Sequence, residues 1–91
     1  MNEDFVPYEI VLKLEKKGYK GKTIRYHGHI YDVLKWLREE KKIHIGISPQ
    51  WQYTVYDMRY NPWIGRSDMQ NYNDCTKATL AGIEYCLDYL I

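Results

Sequence analysis

The chain has 91 residues, 27% charged and 45% hydrophobic, with a formal net charge of +1. That length fits one domain, residues 1–91, with a single modest core burying roughly 60–65% of the unfolded surface. No run approaches 18 apolar residues, the start Met-Asn-Glu-Asp-Phe has no signal-peptide core, and two cysteines are too few for a disulfide framework, so the expectation is a reduced, cytoplasmic protein away from membranes.

Charge is unevenly spread. From Ile10 to Lys42 there are ten basic and four acidic residues, whereas from Asp68 onward one Lys faces four acids. The first stretch is either a basic face or the wet side of two amphipathic helices. The aromatic content is also lopsided, with ten Tyr and three Trp against one Phe. Tyr and Trp join apolar area to a polar handle, which suits half-wet surfaces.

The first helix is expected from about Pro7 to Lys17. Proline is tolerated in a first turn, Ile10, Val11 and Leu14 repeat at helical spacing, and Gly18 suits a left-handed stop. Thr23-Ile24-Arg25-Tyr26, between Gly21 and Gly28, reads as a short edge strand. A second helix presents Ile30, Val33, Leu34 and Leu37 on one face, places Trp36 at its rim, and ends in Lys41-Lys42, the favourable sign for its dipole.

The period then drops from 3.6 to 2. Ile43, Ile45 and Ile47 alternate with His44, Gly46 and Ser48, and a second strand from Trp51 to Met58 puts Trp51, Tyr53 and Val55 on one face. A three-residue loop, Ser48-Pro49-Gln50, pairs Ile47 with Trp51, Ile45 with Tyr53 and Ile43 with Val55, which matches apolar faces. The outward ladder would then be Lys42–Tyr56, His44–Thr54 and Gly46–Gln52.

Fifteen residues, Arg59 to Asn73, are long for a structureless connection, so a third strand or packed loop is expected within them. Asp74 or Asn73 can cap a last helix running to about Leu90, along a line of Ala78 or Thr79, Gly82, Ile83, Cys86, Leu87 and Leu90. Gly82 costs such a helix roughly 0.5–1 kcal/mol relative to Ala, which a close helix–sheet approach would explain. The fold class is α+β in two layers, helices on one face of a small antiparallel sheet, in the order α-(β)-α-β-β-α.

Lys35-Trp36-Leu37-Arg38-Glu39-Glu40-Lys41-Lys42-Ile43-His44-Ile45, the stretch from Ala81 to Ile91, and the opening Phe5-Val6-Pro7-Tyr8-Glu9-Ile10 together resemble a family of small uncharacterised proteins from gut Bacteroidetes, their phages and mobile elements. The resemblance covers most of the chain and implies one intact domain, without an activity to carry over. Its members commonly enter the last helix through Tyr-x-Ser/Thr-x-Glu-Glu-Ala. Here Tyr72-Asn73-Asp74-Cys75-Thr76-Lys77-Ala78 lacks that acidic pair.

Reactive constellations are sparse. His27, His29 and His44 have no spacing that assembles a metal site. Cys75 and Cys86 are eleven apart, about 16 Å along a continuous helix, too far for a disulfide. No carboxylate pair has a spacing that imposes general acid–base geometry and no glycine-rich phosphate signature is present, so no enzyme, cofactor, metal or small-molecule ligand is indicated. The expected function is a small non-catalytic interaction protein that binds a protein partner or a second copy of itself. The alternative is an accessory nucleic-acid-binding protein that stacks bases on aromatics and meets phosphates with Lys and Arg. In either case the candidate partner-binding residues are Lys42, His44, Tyr56, Arg59, Tyr60, Trp63 and Arg66.

Overall fold

A computed structural model of the chain describes residues 6–19, 30–67 and 70–91. The expected strand at 23–26, and His27 and His29, lie outside the described residues.

Helix α1 spans Tyr8–Lys16. It starts where expected because the Pro7 carbonyl accepts from both Ile10 N and Val11 N at 3.0 Å. Its end is a Schellman motif: Gly18 takes φ +95°, its N–H donates to Glu15 O, and Tyr19 N donates to Leu14 O. Leu14 and Tyr19 are both buried, which supplies the apolar contact that accompanies this cap. Helix α2, described from Ile30 to Glu40, buries Ile30, Val33 and Leu37. It stops two residues before Lys42, which itself turns left-handed at φ +58°. Trp36 does sit at the rim, edge-on to Tyr19 at 5.3 Å, with Lys41 Nζ 5.4 Å from its ring centre.

Three antiparallel strands follow in the order β1-β2-β3: Ile43–Ile47, Tyr53–Asp57 and Ile64–Ser67. The third strand falls inside the long connection, as its length suggested. The β1–β2 register differs from the expected one by two residues. Ile43 pairs with Asp57, His44 with Tyr56, Ile45 with Val55, Gly46 with Thr54 and Ile47 with Tyr53. The loop does have three residues, but they are Pro49-Gln50-Trp51.

Ser48 controls that turn. Its carbonyl accepts from Trp51 N at 3.0 Å, its N–H donates to Gln52 O at 2.9 Å, and its hydroxyl accepts from Gln50 N and Gln52 N. Trp51 occupies the left-handed position at φ +59°, the place glycine usually fills in such a loop. A two-residue slip keeps every side chain on its own face, so face matching cannot distinguish the two registers. The slip puts Trp51, 39% exposed, in the turn rather than facing the helices with Tyr53, and brings Asp57 into the inward row opposite Ile43.

The last helix begins at Cys75, capped by Asp74 Oδ1, which accepts from Lys77 N at 2.8 Å. It is α-helical to Tyr85 (α3) and widens into a π-helical turn over Cys86–Leu90, where Ile91 N donates to Cys86 O. Gly82 explains itself. A Cβ there would lie 3.0 Å from Ile45 Cγ2 and 3.3 Å from the Tyr53 ring. The helix therefore rests directly on β1 and β2.

The architecture is α+β, with the core formed by Val6, Ile10, Val11 and Leu14, by Val33 and Leu37, by Ile43, Ile45, Tyr53 and Val55, and by Ile83, Cys86 and Leu87. Lys13 Nζ bridges α1 to the C-terminal helix, 2.9 Å from Glu84 and 3.0 Å from Asp88. No described helix is long and apolar enough to cross a membrane.

Candidate partner-binding surface

The corrected register divides the seven candidate residues between two faces of the sheet. Strand side chains alternate, and residues directly opposite share a face. His44 and Tyr56 are therefore neighbours on the outward face, where their rings stack at 6.1 Å and 25°. Tyr56 lies between two glycines. A Cβ on Gly46 would be 3.4 Å from its ring, and one on Gly65 would be 3.6 Å away. The missing side chains let the ring lie over the neighbouring strands, leaving Tyr56 37% exposed. Thr54 and Ser67 close the next row by a 2.8 Å hydroxyl contact. Lys42 is exposed at the end of β1, where its carbonyl accepts from Met58 N at 2.8 Å.

Arg66 belongs to the other face, because it pairs with the buried Val55. There the helices stop short. α2 and α3 pack on β1, α3 also packs on β2, and all four residues of β3 are exposed. The uncovered side of β3 and the π-helical turn enclose two clefts that meet at Arg66 and Tyr89. One, of about 370 Å³, is walled by Tyr53, Ser67 and Tyr85. The other, of about 570 Å³, is walled by Asp57, Arg59, Tyr60 and Leu90. Tyr85 and Tyr89 lie 5.1 Å apart, and Tyr53 is 6.2 Å from Tyr85, so rings run down the helix side.

Arg59 is already committed. Its Nε and one terminal nitrogen grip the Asp57 carboxylate at 2.8 and 2.7 Å, and its backbone N–H adds a third bond at 3.1 Å. Asp57 ends β2 facing inward and is only 2% exposed. Hydrogen bonding from Arg59 outweighs burial and holds this carboxyl below its usual pKa. Beside the pair, burial pushes the Cys86 thiol up to about 12. Such a thiol is a packed core group, not a nucleophile. Cys75 is exposed and also free.

Tyr60 and Trp63 are 53% and 61% exposed in the connection between β2 and β3. Thus Arg59, Tyr60 and Arg66 come together on the cleft side, His44 and Tyr56 come together on the outward face, and no single surface holds all seven. Asp57, Tyr85 and Tyr89 line the clefts and were not among the candidates. The four-residue spacing of Tyr85 and Tyr89, off the apolar line, was the available signal for the two tyrosines. Among the described residues no group of three His, Cys, Asp or Glu is placed to hold a metal ion. Compared with protein-family models, curated proteins and solved structures, the chain matches none.

Proposed function

We propose that the chain is a small non-catalytic interaction protein whose protein partner seats on the β3 side of the sheet. The observation that carries this reading is that no described helix covers β3, whose four residues are all exposed. Tyr60 and Tyr89 (the last 74% exposed) line the open clefts with Arg66, and Trp63 is exposed in the connection just before β3. Exposed Tyr, Trp and Arg are the residue types that most often anchor protein interfaces. Two free cysteines suit a reducing cytoplasm. The resemblance to the Bacteroidetes and phage family supplies a setting for this role but no activity.

Self-association is one form of the proposal. Edge-to-edge pairing of β3 is opposed by its four-residue length and by Arg66, an inward-pointing charge of the kind that protects sheet edges. A dimer would therefore form through side chains in the clefts. Light scattering on the pure chain is expected to show whether it forms at all, and a monomer at the highest soluble concentration eliminates it. A foreign partner should be retained on the immobilised chain and lost when Tyr60 and Trp63 are both changed to Ala. Equal retention by that variant removes the β3 side as the binding surface.

The nucleic-acid alternative draws on a different observation, the His44–Tyr56 stack with Lys42 nearby. Such a ring offers a stacking platform, but Arg59 and Arg66 lie on the opposite side of the sheet, which weakens a combined phosphate and base surface. Salt-sensitive binding of a single-stranded oligonucleotide that disappears in Tyr56→Ala would favour this alternative.

A further inference from the structure

We propose that the cleft at Arg66 takes an acidic segment of a protein partner, a carboxylate adjoining an aromatic or large apolar side chain. This rests on the reading of the β3 side as the partner-binding surface and specifies the chemistry it recognises.

The cleft residues hold two guanidinium groups and one carboxylate. Arg59 already gives the Asp57 carboxylate three hydrogen bonds, and Arg66 acts on it only through its longer-range field. Among the described residues no ion pair reaches Arg66. On the C-terminal helix, Glu84 and Asp88 share Lys13, and neither lines the clefts. Among the described residues, the side chains lining the clefts therefore sum to one positive charge, with Arg66 the guanidinium outside any ion pair.

The remaining walls select what carries that oxyanion. Tyr53, Tyr85 and Tyr89 offer ring faces on one side and Leu90 an apolar surface on the other. A planar carboxylate fits Arg66 bidentately, with its neighbouring ring or aliphatic group against the tyrosines. Ser67 is less available, since its hydroxyl is shared with Thr54 at 2.8 Å.

The test is an amide-resolved NMR titration of the full chain with N-acetylphenylalanine, which places one carboxylate beside one ring. Its neutral amide, inorganic phosphate and a short single-stranded oligonucleotide serve as comparisons. Shifts are expected at Arg66, Ser67, Tyr85 and Tyr89, with a dissociation constant of about 1 mM that rises with salt. In Arg66→Gln, an exposed position whose fold is checked by the same spectrum, affinity is expected to fall roughly tenfold or more. Arg66→Lys keeps the charge but not the fork and should fall between the two. Equal shifts from the neutral amide overturn the proposal, as does unchanged affinity in Arg66→Gln or the absence of any shift. Tighter binding of phosphate or of the oligonucleotide at the same residues also overturns it, in favour of a phosphoryl ligand. Should the probe fail while capture of a partner still depends on Tyr60 and Trp63, the carboxylate assignment falls and the interaction reading stands. The reverse result separates them equally well.

Discussion

The covered and open sides of this sheet differ in how closely they are built. Over β1 and β2 the last helix sits so near that even a methyl group at Gly82 would press on Ile45 and Tyr53. At β3 no residue is buried, and the cleft walls leave hundreds of cubic ångströms open between them. Stability is concentrated on the first side, and on the second side exposed Tyr, Trp and Arg remain without a packing role. A domain of this size has only one core to draw on, so a surface that contributes little to that core is free to be shaped by something else.

The contrast is tested most severely in the core. Leu37→Ala, at a fully buried position, is expected to cost about 2–5 kcal/mol in urea unfolding. At the junction of the two sides, Arg59→Ala strips the buried Asp57 of its fork and should cost about 2 kcal/mol, reduced from a fully buried pair because Arg59 is itself 40% exposed. The same pair predicts acid sensitivity. Because the folded pKa of Asp57 is depressed, its contribution is present above about pH 4, the ordinary carboxylate value, and is lost as pH falls through the folded value. A stability–pH curve of Asp57→Asn should be flatter on that acid side, and an unchanged slope would assign acid unfolding to other carboxylates.

Glycine substitutions compare the sides directly. Gly82→Ala should lose about 1 kcal/mol despite the better helix propensity of Ala, since Ile45 and Tyr53 are both buried and must give way. Gly65→Ala meets Tyr56 only at 3.6 Å, an ordinary contact, and should stay within about 0.5 kcal/mol. Equal costs would erase the distinction. Smallest of all, Trp63→Ala should leave stability within about 0.5 kcal/mol while reducing partner capture. Thiol labelling gives a further reading: Cys75 should react in the native chain and Cys86 only after unfolding, with the stability held by the neutral Cys86 thiol declining as pH rises from about 8.5 toward about 12.

Helix positions, strand identities, the Asp74 cap and the reason for Gly82 were legible from local pattern. Each follows from side-chain period or from a backbone conformation that one residue type tolerates best. The register was not legible from face matching, because a slip of two preserves faces. A stronger cue was present in Ser48-Pro49, which suits the first two positions of a type I turn and would have placed the loop at Pro49–Trp51. The candidate surface was half legible. Residue type singled out Arg66, Tyr60 and Trp63, but linear order could not reveal that Arg66 and His44 point to opposite faces, or that Arg59 is consumed by its near neighbour Asp57.

By itself, the sequence determined the three helices, the β1–β2 hairpin and the α+β class, since periods of 3.6 and 2 are local properties of a chain, but it left open whether the long connection held a third strand. Tertiary structure decided which strand the helices leave bare. That depends on how far the last helix reaches across the sheet, a distance fixed by contacts between residues nearly forty positions apart. It is at this strand, where Arg66 has no ion pair among the described residues and stands beside a row of tyrosines, that a function for the chain can be sought.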